Sequence, residues 1–265
     1  MNYTEINRVK WNQWSSENCV WTRAITHEEF CKINSKSPIY LTPTKPVPYN
    51  WYTPLKGKKV LGLACGGGQQ CPIFAALGAD VTVVDISESQ LSAEHEVSKR
   101  EGYSINLIQR DITLDFPFAS ESFDLIFHPV ANSYIDNIQH VWNESYRILK
   151  HNGVLLSGFA NPTIYLYKLI GNETELAYSM PFNPLKDIPS QELQELVRTD
   201  GVQFGHSFSS QINGQLKAGF VLSQFFEDYH PSDNSINNYE TDIGKIASIL
   251  TKYMPIYFAT KSIKL

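Results

Sequence analysis

Long apolar runs are missing from this 265-residue chain: no stretch approaches the length needed to span a bilayer. The opening stretch, MNYTEINRVKWNQWSSEN, has no apolar segment of the kind a signal peptide carries. Cysteine is scarce and unpatterned. Cys19, Cys31, Cys65 and Cys71 make neither a C-x-x-C pair nor a zinc-ligand spacing. Cys65 lies inside a glycine turn, an odd place for a structural disulfide. The expected compartment is therefore reducing, that is, cytoplasmic, with no metal and no membrane partner. Charge of one sign is never concentrated, and the net charge of −5 leaves no global field to draw a phosphate backbone. Nucleic acid is thus not expected as a partner. Internal repeats and low-complexity segments are also lacking. The apolar content is ordinary for a chain that buries a real core.

The stretch KKVLGLACGGGQQCPIFAALGADVTVVD, Lys58 to Asp85, carries the most information. It reads as a buried strand, a glycine-rich turn, a helix and a second buried strand ending in an acid. Such a unit makes a socket for a nucleoside-bearing cofactor: glycines let the backbone come close, and the acid accepts from two ribose hydroxyls. Strands and helices then alternate. Strands are expected at Lys59 to Ala64, Asp80 to Asp85, Ile105 to Gln109, Phe123 to His128 and Val154 to Phe159. Helices are expected at Gln69 to Leu77, at Ser87 to Glu101 with Ser87 as N-cap, and at Asn137 to Lys150, with Asp136 as N-cap and Gly153 closing its end. This rhythm implies a doubly wound α/β fold with a mostly parallel sheet covered on both faces.

Residues 1–54 form a cap of moderate helical patterning, near Ile6 to Ser15 and Thr26 to Ile33, followed by a connector with five prolines between Pro38 and Pro54. Its aromatics, Tyr40, Tyr49, Trp51 and Tyr52, either pack it on the core or make it a lid. Residues 55–265 form the main domain. Within it, residues 161–201 break the rhythm with four prolines and read as a lid-like insertion at the sheet's ligand edge. A short helix at Gly214 to Ala218 follows, then strands at Phe220 to Tyr229 and Pro255 to Lys264, with a polar loop, residues 230–243, between the strands.

In an open α/β sheet, ligands bind beyond the carboxyl ends of the central strands. Four segments end there: Ala64-Cys65-Gly66-Gly67-Gly68, Asp85-Ile86, Asp111-Ile112, and the run from His128 through Pro129, Val130 and Asn132 to Tyr134. The dinucleotide spacing G-x-G-x-x-G would put a third glycine at Gln69. Gln69 and Gln70 at the helix start suit a carboxylate and an amine better than a pyrophosphate.

VLGLACGGGQQ, VTVVDIS, RDI, FASESFDLIFHPVAN and YRILKHNGVLL resemble the successive motifs of class I S-adenosylmethionine-dependent methyltransferases, strongly over Leu55 to Phe159. YLTPTKPVP in the connector is similar to uncharacterised bacterial methyltransferases of this group, and indicates no substrate. The resemblance implies a Rossmann-like sheet of seven strands with a C-terminal antiparallel hairpin, and S-adenosylmethionine as cofactor with S-adenosylhomocysteine as product. It implies that Ala64, Cys65, Gly66, Gly68, Gln69 and Gln70 surround the methionine portion. Asp85 would bind the ribose, Ile86, Asp111 and Ile112 would enclose the adenine, and His128, Pro129 and Val130 would lie near the sulfonium. Two departures stand out. Gly62 sits where the family often has an acid, and Ala64 where it often has a glycine.

Methyl transfer from a sulfonium needs a base only when the nucleophile arrives protonated. His128 is the candidate base, with a packed strand-end histidine as the alternative. Asn132, Tyr134, Asn161 and Tyr165 are candidates for orienting the acceptor, and His206 is a weaker one. The run after the fourth strand is not the N/D-P-P-Y/F sequence of amino-methylating nucleic-acid enzymes, so a small-molecule acceptor is expected. Two alternatives remain open at the level of sequence: a non-catalytic nucleoside-binding protein, and a nicotinamide-dependent oxidoreductase, which the absence of a Tyr-x-x-x-Lys pattern disfavours.

Overall fold

The computed structural model describes residues 2–231 and 241–265. Two helices open the chain, α1 (Tyr3–Ser16) and α2 (His27–Cys31), the latter started by a reciprocal cap between Thr26 and Glu29. The alternating part runs β1 (Lys59–Leu63), α3 (Cys71–Ala76), β2 (Asp80–Asp85), α4 (Glu88–Glu101), β3 (Asn106–Gln109), β4 (Phe123–His128), α5 (Ile138–Ile148) and β5 (Leu149–Ala160). An appended region holds the hairpin β6 (Tyr167–Ile170) and β7 (Glu173–Leu176), then α6 (Pro184–Asp187), α7 (Ser190–Asp200) and α8 (Gly214–Ala218). The chain closes with β8 (Phe220–Asp228), α9 (Asp242–Leu250) and β9 (Tyr257–Lys264).

Among the described residues, one seven-stranded sheet has the order β3-β2-β1-β4-β5-β9-β8. The first five strands are parallel, and β9 runs antiparallel between β5 and β8. The strand order reverses between β1 and β4, where an open parallel sheet leaves its ligand crevice. β1 and β2 are buried after their first residue, as strands covered on both faces must be. Alternate residues of β1 serve opposite cores. Val60 packs with Ile39, Leu41, Trp51 and Phe74 on one face; Leu61 and Leu63 pack with Val84, Ile126 and Trp142 on the other.

Several local expectations need correction. Ser87 does cap α4, accepting from the Gln90 N–H. However, α5 begins after Asn137, not Asp136, and makes no side-chain cap bond there. Gly153 does not close α5. The chain leaves the helix at Leu149 straight into extended backbone, and Asn152 takes the left-handed conformation, φ 60°. Gly153 is small for another reason: a β-carbon would fall 2.7 Å from the Lys150 carbonyl oxygen. The final strands do pair antiparallel, but α9 lies in their connection. Of the expected loop at residues 230–243, residues 232–240 lie outside the described residues, and Thr241 caps α9 by accepting from the Gly244 N–H.

The proline-rich connector packs on the sheet. Ile39, Leu41, Val47 and Trp51 are buried in the first core, and Leu41 crosses β5 so closely that a β-carbon on Gly158 would lie 2.4 Å from its carbonyl oxygen. Helix α1 clasps both halves of the rim. Asn12 accepts from the Ser87 hydroxyl at 2.6 Å, beside the end of β2. Asn7 exchanges two bonds with the Val202 backbone, at 2.7 and 3.0 Å, on the side of the appended region. Beneath the glycine turn, fully buried Glu94 accepts the Gly68 N–H at 2.8 Å, while its other oxygen has no partner among the described residues. Burial pushes its carboxyl up to about 8.

Two outcomes follow from this packing. Gly158→Ala should destabilise the fold by about 1–3 kcal/mol, read as a lowered Tm, because backbone, not a pliable side chain, fills the space. Glu94 binds its proton more tightly folded than unfolded, so its contribution to stability is greatest below about pH 4.5 and is lost as pH rises through about 8. Glu94→Gln keeps an oxygen for Gly68, so its Tm should exceed the parent's at pH 8.5, with the gap closing toward pH 5.

Candidate active site

The turn after β1 is shaped by what it must approach. Ala64 adopts φ 50°, a left-handed conformation costly for most side-chain-bearing residues, at the position where the resembling family often has glycine. Gly66 then passes so close to β2 that an added β-carbon would lie 2.7 Å from the Gln90 β-carbon and 3.0 Å from the Asp85 carboxylate. Asp85, only 9% exposed, accepts the Gly66 N–H on one oxygen and the Ser87 N–H on the other, each at 2.9 Å. Burial raises its pKa, opposed by these backbone donors. A carboxylate oxygen has more than one lone pair, so both oxygens retain capacity for a vicinal diol.

One cavity of about 1310 Å³ opens along this rim. Ala64, Cys65, Gly66, Gln69, Gln70, Asp85, Ile86, Asp111, Ile112, Pro129, Val130, Tyr134 and Tyr165 all line it, so the structure brings together segments expected to converge from four strand ends. Gly68 does not line it; its N–H points back to Glu94. Gln69 donates weakly to the Val20 carbonyl and Gln70 accepts from the Tyr40 N–H, so both glutamines also stitch the N-terminal segment to the turn. Gly62 lies against Cys71, whose Sγ would be 2.5 Å from an added β-carbon. The thiol of Cys71, in turn 3.8 Å from the thiol of Cys65, takes the volume an acidic side chain would need.

The remaining expectations fare differently. His128 is fully buried at the end of β4 and is not part of the cavity wall. Its Nδ1 lies 2.9 Å from the Leu63 carbonyl oxygen, which only accepts, so that nitrogen carries the proton. Its Nε2 lies 2.7 Å from Asn132 Oδ1, and the Asn132 NH2 donates in turn to Gln211. Burial lowers the pKa of the ring, opposed by the Leu63 and Asn132 oxygens. His128 is therefore not positioned to take a proton from a molecule in the cavity, and Asn132 serves the same buried chain. Asn161, bonded to the Pro255 carbonyl and the Thr163 N–H, also lies outside the cavity wall. His206 bonds to the Ile135 carbonyl at 2.6 Å and likewise lies outside it.

Several wall residues escaped the sequence reading. Trp11, Trp14, Trp21 and Arg23 come from the N-terminal segment, which runs beside the glycine turn through the Ile25 N–H to Gly68 carbonyl bond of 2.8 Å. Gln203, Ile243, Ala247 and Tyr257 come from the C-terminal half. The closely spaced tryptophans at 11, 14 and 21 were the available signal for the first group. Nothing in the periodicity marked the second.

Residues 61–157 match the family described as "Methyltransferase domain". Over 268 aligned residues the chain is 37% identical to "Uncharacterized methyltransferase YbaJ" of Bacillus subtilis (strain 168), with 97% of each chain covered. It is 26% identical over 171 residues to a ubiquinone biosynthesis O-methyltransferase of Pelagibacter ubique (strain HTCC1062), which covers 57% of this chain and 67% of that one. Its fold matches the crystal structure of an S-adenosylmethionine-dependent methyltransferase from Mesorhizobium loti with a TM-score of 0.58 at 19% identity, covering 81% and 94% of the two chains. These relationships set aside the nicotinamide-dependent and the non-catalytic alternatives. The chain belongs to the class I S-adenosylmethionine-dependent methyltransferases.

Proposed function

We propose that the protein methylates a small, largely apolar molecule held in the part of the cavity beyond the β4 and β5 strand ends. The observation that carries this reading is the extent of the cavity. At about 1310 Å³ it exceeds the roughly 300–1,000 Å³ of a single small-molecule site. Its far part is walled by Ile164, Tyr165, Leu169, Ile243, Ala247 and Tyr257. The cofactor supplies an activated methyl group on sulfur. Asp85 holds the ribose diol, Ile86 and Ile112 flank the adenine with Asp111 at its edge, and the Ala64–Gly66 turn with Gln69 and Gln70 receives the methionine end. No acid stands at Gly62, so Arg23 and the carbonyls of the turn serve that end, Arg23 toward the carboxylate. Pro129, Val130 and Tyr134 border the point of transfer. Residues 161–201, inserted within the domain of residues 55–265, act as a lid over the cavity, and residues 1–54 close the other side. This arrangement orients the acceptor and excludes water, which is most of what an in-line displacement from an activated donor requires. The proposal includes no metal, nucleic acid or membrane, and a cytoplasmic location.

His128 has a positioning role in this reading: with Leu63, Asn132 and Gln211 it fixes the ends of β1 and β4. His128→Ala should lower stability by about 1–3 kcal/mol through the orphaned Asn132 amide. The pH profile of kcat should keep its shape; loss of an ionisation from that profile would restore His128 as the base. Asp85→Ala should weaken S-adenosylmethionine binding measured by calorimetry by on the order of 1.5–3 kcal/mol, the loss of a charged hydrogen bond. Unchanged affinity would overturn the cofactor placement. Turnover of S-adenosylmethionine against a panel of apolar small molecules, with nucleic acid as the contrasting acceptor, tests the acceptor class directly.

A further inference from the structure

We propose that the acceptor carries a negatively charged oxygen function on its apolar frame, a carboxylate, phenolate or enolate, and that the hydroxyls of Tyr134 and Tyr257 receive it, beside Tyr165. This rests on the small-molecule reading above and narrows it to a chemical class.

The three tyrosines come from three places in the fold. Tyr134 follows β4, Tyr165 lies in the turn after β5, and Tyr257 opens β9, paired with Ala160 at the end of β5. All three line the cavity, and ionising Tyr134 is opposed by Tyr165 and Tyr257. Burial also holds each phenol protonated, so each remains a hydrogen-bond donor. Tyr165 donates to Gln203 at 2.9 Å, which orients it. Among the described residues the Tyr134 and Tyr257 hydroxyls have no hydrogen-bond partner, which leaves two donors for a guest. Protonated phenols in an apolar wall stabilise a buried anion and gain less from a neutral guest.

Among the described residues, no uncommitted carboxylate stands on the chamber wall beside the tyrosines. A cationic acceptor would need a carboxylate on the wall. Asp85 and Asp111 line the nucleoside end, and Glu29 is committed to the cap of α2. The nearby acids outside the wall are also occupied. Asp200 accepts the Asp242 and Ile243 N–H groups and the Thr199 hydroxyl, and Asp228 accepts the Thr44 and Lys45 N–H groups and the Thr44 hydroxyl. By contrast Lys36 and Lys245 line the cavity and present cations to an entering molecule. Trp11, Trp14 and Tyr134 do not form a box of parallel faces for an ammonium either: they meet edge to face, at interplanar angles of 74–88°, and Lys10 already sits over Trp14.

A matched pair of probes tests this: 4-phenylbutanoate and 4-phenylbutylamine, titrated by calorimetry at pH 7 into protein saturated with S-adenosylhomocysteine. The anion is expected to bind at least tenfold more tightly than the ammonium. Tyr257→Phe should reduce that preference at least fivefold with S-adenosylhomocysteine affinity unchanged, which also shows that the variant is folded. Equal or tighter binding of the ammonium, binding of neither probe, or a preference that survives both Tyr257→Phe and Tyr134→Phe would overturn the inference while leaving the cofactor reading intact. Failure of S-adenosylhomocysteine itself to bind would overturn both.

Discussion

The Asp85 carboxylate must reach the backbone of the turn after β1, and the geometry of the whole rim follows from that demand. With Gly66 bonded to one oxygen and Ser87 to the other, the ends of β1 and β2 and the start of α4 are fixed to one group. The approach leaves no space for a side chain at Gly66 and turns Ala64 into the left-handed region. Burying this carboxylate is unfavourable, as its raised pKa records, and its backbone donors offset only part of that.

The N-terminal segment belongs to the site as much as the sheet does. Its proline-rich part is buried in the core above β5, and α1 holds the α4 cap through Asn12 and the Val202 backbone through Asn7. A separate piece of chain thus becomes one wall of the cavity. The compensation at Gly62 is local too. A thiol from α3 fills the volume that an acid at position 62 would occupy.

The chamber beyond the rim depends on distant contacts. Ile246 and Leu250 of α9 pack with Ile164, Tyr165, Phe182 and Leu193 in a third apolar cluster. Asp200, at the end of α7, holds the first N–H groups of α9. Burial pushes that carboxyl up to about 6, so this anchor is bound at an electrostatic cost that the helix N-terminus partly offsets.

Much of the rim was legible in the chain because its determinants are local. A strand-turn-helix with glycines at fixed offsets, an acid closing the next strand and Ser87 before an amphipathic run each constrain the backbone within a few residues. Where local signals compete, reading failed. Gly153 looked like a helix stop, yet the turn belongs to Asn152, and Asn137 replaced Asp136 as the cap. His128 carried the right chemistry for a base, but whether a strand-end side chain points into a cleft or between strands depends on its neighbours. Here Leu63, brought alongside by sheet register, and Asn132, in the turn after β4, claim both its nitrogens. The order of residues along the chain was therefore enough to specify the alternation of the doubly wound core and the turn, acid and cap at the ends of β1 and β2, since those determinants lie within single βα or βαβ units. The far part of the cavity, with Trp11, Tyr165, Gln203 and Tyr257 gathered from positions far apart, exists only through long-range packing, which no periodicity in a single segment records.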